Sequence, residues 1–390
     1  MNILFVSHKY PPAVGGMEKQ SFELINGMKK YAQVHLMAIQ NESQISFILK
    51  TRKQILSYLH NHPEIDIIHI NDGLLACILG PIIKHLPLIK VATIHGLEAS
   101  YPGALYTKYI FSRLKVYDKL ICVSQHTKEL CIQKGLVASQ LEVIHNGVAE
   151  SSQKPVKPSL ATLPFDIPKD KTIIVSVGRL VKRKGFYWFA STVMPELGKD
   201  YQYIIIGNYF KESLGRRIFN FIAPGGLVHK YNLLMGYPSD NVPLQAQKFD
   251  NVILAGRLSD EQMLGVLERA DLFIVPNIPV KGDAEGFGLV ALEGTIAQKT
   301  VLASNLEGLK DVIKDGSNGY VLPAMDKNAW VGKIKELSID KIALKAFGQK
   351  AKTYSLQNFS WEKMSFEYFQ TFEKLNEQKI QNKTLDHTMV

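Results

Sequence analysis

Cysteine is scarce in this chain of 390 residues: Cys77, Cys122 and Cys131 are all it has. They are odd in number, scattered and never spaced CxxC, so neither a disulfide framework nor a cysteine zinc site is indicated. They read as buried, reduced thiols of a cytoplasmic protein. Long apolar runs are missing too. The most apolar stretch, Gly73 to Ile89, is broken by Pro81, Lys84 and Pro87, too interrupted for a span of about 20 apolar residues. The opening MNILFVSHKYPP has no basic leader and reads as a first strand, not a signal peptide. No GxGxxG fingerprint and no GxxxxGK[ST] phosphate loop occurs. No DxD triplet occurs either, so no metal is expected for the chemistry and no other cofactor is called for. A repeat period of about 20–50 residues is not visible, which excludes a solenoid.

What is present is ordinary for a globular protein: 46% hydrophobic and 21% charged residues. The length exceeds one usual core, so two domains are expected. The net charge of +10, of which +6 falls within residues 1–165, suggests an anionic partner: phosphate ligands, a membrane surface or nucleic acid. No RNA- or DNA-binding motif supports the last, so no nucleic acid partner is expected.

Short β-branched runs alternate with helical patterns. Strands are predicted at Ile3–Val6, Val34–Ile39, Asp66–Ile70, Val91–Ile94, Lys119–Val123 and Leu141–Ile144. Helices fit Glu18–Tyr31, Lys50–His60, Leu74–Lys84, Ala104–Val116 and Thr127–Lys134. Ser151–Lys171, with four prolines, reads as a linker. The alternation then restarts, with strands at Thr172–Val177, Tyr203–Ile206, Val252–Leu254, Leu272–Val275, Thr300–Ala303 and Gly319–Leu322. Helices fit Phe186–Leu197, Glu212–Ile222, Asp260–Arg269, Gly288–Gln298 and Leu309–Lys314. The glycine- and proline-bearing segment 223–248 breaks the rhythm. Three more helices follow, at Lys327–Leu337, Ile342–Tyr354 and Trp361–Glu377, before a polar tail that is expected to fray. Strands alternating with helices mean parallel sheets built from βαβ units. The expected fold class is α/β: two doubly wound, Rossmann-like domains facing across a cleft, with ligands beyond the C-terminal strand edges.

Four stretches could carry chemistry. Gly15 and Gly16 precede a helix near Glu18, where freed backbone N–H groups can approach a phosphate or sugar. A plain βα turn explains them equally well. In SVGRLVKRKGF, Arg179 and Lys184 leave a strand end and flank a helix start, which suits a diphosphate. The alternative is a solvated basic loop, and Lys182 and Arg183 are read that way. His95 ends a strand before Gly96 and can face a ligand, or simply pack; His69, inside a strand, reads as core. Finally, GDAEGFGLVALEG sets Glu285 among glycines and Glu293 eight positions on, in surroundings that read as buried. A helix starting near Phe287–Gly288 would place them about 8–9 Å apart along its axis. They cannot share one proton; they can grip two parts of an elongated ligand with phosphates between. A nucleotide sugar fits, since carboxylates accept from sugar hydroxyls. Glu293 could instead be satisfied by a neighbouring basic side chain.

Taken in order, GGME, TIHGLE, CVSQHT, VIHNGV, SVGRLVKRKG, ILAGRLSDEQM, EGFGLVALE and GSNGYVLP form a set. The chain resembles the retaining glycosyltransferases of family 4, of GT-B fold and E-x7-E type, from Ile3 to about Pro323. The resemblance implies a nucleotide diphosphate sugar as donor and an acceptor hydroxyl. It implies that Gly15 and Gly16 shape the lip near donor phosphate and acceptor, and that His95 approaches the transferred sugar. Arg179 and Lys184 would hold the diphosphate, helped by backbone N–H groups of Phe287, Gly288 and Leu289. Glu285 would bind sugar hydroxyls, Glu293 the ribose, and Arg257 and Leu258 would face the base. An acceptor-side domain of residues 1–160 would be joined by a helix at about 356–378 crossing back, with a donor domain at 161–355. Two departures stand out: Ala149 follows Val148 where an aspartate is common, and PNIPVKGD replaces a shorter loop. Rival readings are a GT-B nucleotide-sugar epimerase and a non-catalytic sugar-nucleotide-binding protein. The basic, aromatic helix Ala104–Tyr117 suggests peripheral contact with anionic lipid on the inner face of the cytoplasmic membrane. A lipid-linked acceptor for polysaccharide, lipopolysaccharide or glycolipid synthesis would then be natural.

Overall fold

A computed structural model of the chain describes residues 1–13, 15–40, 42–150, 159–160, 163–207 and 249–388. The helix expected at Glu212–Ile222 and the segment 223–248 lie outside the described residues, as do 151–158 and 161–162 of the linker. The chain forms two compact units, Met1–Gly147 with Phe359–Val390, and Val148–Asn358.

The first unit carries the strands β1 (Asn2–Ser7), β2 (Gln33–Ala38), β3 (Ile67–Ile70), β4 (Ile89–Ile94), β5 (Lys119–Cys122) and β6 (Leu141–Val143). Among the described residues they form one parallel sheet in the order β2-β1-β3-β4-β5-β6. The second unit carries β7 (Thr172–Val177), β8 (Tyr201–Ile206), β9 (Val252–Gly256), β10 (Leu272–Val275), β11 (Thr300–Ser304) and β12 (Tyr320–Leu322). Their order is β12-β11-β10-β7-β8-β9, again parallel. Helices on both faces bury these strands, which is why their sequences are continuous apolar runs and do not alternate. The strand β4, IKVATI, is buried along its whole length. The edge strand β2 is half-exposed.

Each sheet reverses its winding once: between β1 and β3 in the first unit, and between β7 and β10 in the second. Connections there leave toward opposite faces and open a crevice beyond the carboxyl ends of the strands. The loops after β1, β3 and β4, and those after β7 and β10, are therefore the places to look for function. The three cysteines are buried and free.

Two of the expected elements differ in ways that packing explains. The helix predicted over Ala104–Val116 breaks into Ala104–Tyr109 and a tighter turn, Phe111–Val116. The break follows from packing: Phe111, Leu114 and Tyr117 are fully buried, and the Tyr117 hydroxyl donates to the Ala76 carbonyl at 2.9 Å. The last helix continues past Glu377 and runs Trp361–Thr388. Its first turns dock on the helix Gly16–Met28, with Tyr31 stacked on Phe369 at 5.0 Å. A helix nucleated by docked turns extends at little further cost.

Candidate functional site

The second unit's crevice holds a dense ionic cluster. After β7 the chain makes a tight turn at Lys182–Lys184 and passes through Gly185 at φ 66. A Cβ on Gly185 would lie 1.8 Å from the Pro276 carbonyl oxygen, so only glycine lets this loop press against the one after β10. The loops are tied by the Ile278 N–H, which donates to the Arg183 carbonyl at 2.8 Å. That contact brings Arg183 and Lys184 onto Glu285.

Three donors meet on Glu285 Oε2. Lys184 Nζ donates at 2.5 Å, Asn277 Nδ2 at 3.1 Å, and Arg183 Nη1 completes the set. Arg183 also donates from Nε to Asp283 Oδ1 at 3.0 Å. Glu285, Arg183 and Lys184 are all buried. Burial opposes the charge on Glu285, but the attraction of Arg183 and Lys184, with the hydrogen bonds from Lys184 and Asn277, outweighs it. The carboxyl is held well below the usual range, so it is an acceptor and not an acid. Burial lowers the Lys184 pKa despite its partner. Asn277 Oδ1 is buried and has no hydrogen-bond partner among the described residues. Such an atom calls for a donor.

The backbone of Glu285 is held as firmly as its side chain. Its N–H donates to Glu307 Oε2 at 2.5 Å, and its carbonyl accepts from the Gly308 N–H at 3.1 Å. Glu307 adopts φ 48, uncommon for a residue with a side chain. Its carboxyl is pushed up to about 7, chiefly by burial and then by Glu285 and Asp283, against the pull of the Glu285 N–H and Arg183. Beyond this clamp, Phe287 and Gly288 are buried, Leu289 is half-buried, and the helix Leu289–Ile296 begins with Gly288 at its cap.

The outcome for the expected residues is mixed. Glu285 and Lys184 come together directly. Arg183, read as solvated, is buried and binds Glu285; its nearest acid in space is remote in sequence. Arg179 is exposed, as is Arg257, with Leu258 half-buried. Glu293 is exposed and not buried, because the inward face of its helix is taken by Ala291, Leu292 and Thr295. Asn277, Asp283 and Glu307 were missed. Asn277 carries no sequence signal beyond following a strand end; the glutamate at positive φ could not be read at all.

The first unit's crevice has another character. His8, after β1, is buried, with Nδ1 3.8 Å from Asp72 Oδ1. Asp72, after β3, caps the helix Gly73–Ile83 by accepting from the Leu75 N–H at 2.8 Å. His95, after β4, donates from Nε2 to the Asn71 carbonyl at 3.1 Å, which leaves Nδ1 as its acceptor in the neutral ring. Burial lowers the pKa of both His8 and His95. Glu98 accepts from the His95 N–H at 2.7 Å. Its carboxyl is pushed up to about 7 by burial and then by Asp72, despite backbone N–H groups that include His95 and Gly73. Gly15 and Gly16 are exposed at the start of their helix, and the Glu18 carboxylate folds back toward Gly15. His69 is core, bonded to Thr93 Oγ1 at 3.0 Å and pushed down to about 3 by burial. A recess of about 400 Å³ beyond β1 and β2 is lined by Tyr10, Pro12, Ile39 and Glu42 among others.

Comparison with known proteins agrees with this architecture. Residues 14–151 match the family described as Glycosyltransferase Family 4, and residues 164–354 the family described as Glycosyl transferases group 1. The chain is 26% identical over 349 residues to an uncharacterized glycosyltransferase of Methanocaldococcus jannaschii, spanning 88% of this chain and 84% of that one. It is 24% identical over 309 residues to the UDP-Gal:alpha-D-GlcNAc-diphosphoundecaprenol alpha-1,3-galactosyltransferase of Escherichia coli, spanning 76% and 72%. In fold it is similar to HepE of Anabaena, solved with UDP and glucose, at TM-score 0.69 and 16% identity over 96% of this chain and 100% of that one. The sucrose-phosphate synthase of Thermosynechococcus elongatus matches at TM-score 0.67 and 20% identity, over 96% and 98%. Among the described residues no helix is long and apolar enough to cross a membrane.

Proposed function

This chain belongs to the family 4 glycosyltransferases, enzymes of GT-B fold, and from that premise we propose that it transfers a glycosyl group from a nucleotide diphosphate sugar to an acceptor hydroxyl with retained configuration. The observation that carries the reading is the Glu285 cluster: an ionised carboxylate beside an unpartnered buried amide oxygen, Asn277 Oδ1. Both are acceptors, and a sugar offers hydroxyl donors. Lys184 spends one of its three N–H donors on Glu285 and can give the others to the diphosphate, with Arg179 and the N–H groups of Phe287, Gly288 and Leu289. Arg183, with Asp283, fixes Glu285 in place. Glu293 would take the ribose, and Arg257 and Leu258 the base. No metal is assigned to the step.

In the proposed reaction the bond from the anomeric carbon to the phosphate oxygen breaks and one to the acceptor oxygen forms on the same face. The acceptor proton passes to the leaving phosphate. Lys184 and the helix N-terminus would stabilise the growing phosphate charge. On the first unit, His95 Nδ1 would accept from a sugar hydroxyl, and Gly15 and Gly16 would admit phosphate or acceptor closely.

The proposed setting is cell-envelope polysaccharide, lipopolysaccharide or glycolipid synthesis, in the cytoplasm at the membrane's inner face. Leu105 and Tyr109 stand 73% and 55% exposed, with Lys108 Nζ 5.3 Å from the Tyr109 ring. Such a patch suits anionic lipid, and a lipid-linked sugar acceptor would follow. Flotation with anionic against neutral liposomes tests it; equal recovery on both would remove the membrane from the proposal.

The main test is a donor screen with product analysis, UDP-sugars first, with and without a hydroxyl acceptor. Acceptor-dependent release of nucleoside diphosphate and a retained linkage are expected. An epimerised nucleotide sugar, or binding without turnover, would overturn the proposal.

A further inference from the structure

We propose that His35, His62 and Glu64 form a binding site for one divalent transition metal of the zinc class, serving as a structural clamp on the edge of the first sheet. Cysteine spacing gave no hint of it. The three ligands come from different elements: His35 from β2, His62 from the C-terminal cap of the helix Gln44–Asn61, and Glu64 from the turn leading to β3. The fold, not the sequence spacing, gathers them.

Their ligand atoms all lie within 4.8 Å of one another. Two imidazoles of different elements converge on one carboxylate oxygen: His62 Nδ1 is 3.0 Å from Glu64 Oε1, and His35 Nε2 is 3.8 Å from it. Tetrahedral zinc with bonds of about 2.0–2.1 Å sets its ligand atoms roughly 3.3 Å apart. The set therefore needs only a small contraction, by side chains with room to move. Two histidines and a carboxylate leave a fourth position for water.

The surroundings orient the rings. His35 Nδ1 is 3.4 Å from the Tyr58 hydroxyl. If Nδ1–H donates there, Nε2 carries the lone pair toward Glu64 and His62, the outer-shell arrangement that metal-bound histidine prefers. The His62 ring packs on Tyr58 at 4.5 Å and on His35 at 5.2 Å. Without a metal, the group is two imidazoles about a half-exposed carboxylate, an ion pair of small worth. With one, it ties the outermost strand to the helix that follows it.

Leu4 pairs with His35 within the sheet, and the turn bearing Glu64 enters β3 at its amino end, not at the carboxyl edge that holds His8 and His95. The role is therefore stability, not glycosyl transfer.

The test uses the full chain after chelator treatment, titrated with Zn²⁺ by calorimetry and with Co²⁺ by visible absorption. One metal per chain and a Tm rise of about 3 °C or more at saturation are expected. His62→Asn, at a half-buried position outside the core, and Glu64→Gln, at an exposed one, should each weaken Zn²⁺ binding at least about tenfold. His35→Ala should abolish the four-coordinate Co²⁺ spectrum. Zn²⁺ binding of equal strength in wild type and His62→Asn, or none in either, would overturn the proposal.

Discussion

The two crevices each open where a parallel sheet reverses its winding, and each buries a carboxyl, but they treat it in opposite ways. After β10, Glu285 receives two cations and an amide and stays ionised. After β4, Glu98 is held by backbone N–H groups beside Asp72, and its carboxyl is pushed up to about 7 by burial. Burial penalises both acids; cations within hydrogen-bond distance reverse the outcome at one of them. The second unit offers a fixed charged socket. The first offers neutral imidazoles and an acid whose hold on its proton is strengthened by burial. Under the proposed reaction the donor is anionic and the acceptor a neutral hydroxyl, and the two edges differ in the same sense.

The contrast breaks most severely at Glu285. Glu285→Gln should cut transfer about 100-fold or more, since hydrogen bonds from a charged group are worth about 1.5–3 kcal/mol each. The chain should still fold, and steady-state transfer beside circular dichroism checks both. Arg183→Ala comes next. It removes one cation from a buried network, at a cost of about 3–5 kcal/mol in the stability of the second unit, read by urea unfolding. Lys184→Ala should weaken donor binding about tenfold in calorimetry, because a diphosphate contact goes with it.

Acidity sharpens the comparison with a smaller effect. Glu98 has a folded pKa of about 7, above its ordinary 4.5. Its folded form binds the proton more tightly, so its stabilising contribution is complete below about pH 4.5 and lost as pH rises through about 7. Glu285 is shifted the other way: its contribution is present above about pH 4.5 and lost as pH falls. In unfolding curves taken across pH, Glu98→Gln should flatten the loss between about pH 4.5 and 7. Glu285→Gln should flatten the acid limb. The smallest change is expected for exposed Glu293→Gln, a rise in donor KM of about threefold with kcat little altered.

Most of the fold was readable. Strands such as Leu272–Val275, buried on both faces, leave uninterrupted apolar runs, and every predicted strand has its counterpart. Helix phase was harder. With the helix starting at Leu289, Ala291 and Leu292 turn inward and Glu293 outward, which apolar neighbours in sequence concealed. The site was half legible. Glu285 and Lys184 stand beside glycines in the loops that follow strand ends, where pattern points to ligands. Arg183 sits in a KRK run that looks like any solvated surface. Its burial depends on an acid 102 residues away, and local sequence cannot carry that. Glu307 escaped for the same reason: its bond to the Glu285 N–H spans 22 residues and a backbone angle that sequence usually gives to glycine.

Calorimetric binding of a UDP-sugar and of free UDP to wild type and to Glu285→Gln is the most direct measurement. If Glu285 is an ionised grip on the donor sugar, the substitution weakens UDP-sugar binding about tenfold or more and leaves UDP within about twofold. Equal loss for both ligands, or no loss for either, would contradict it.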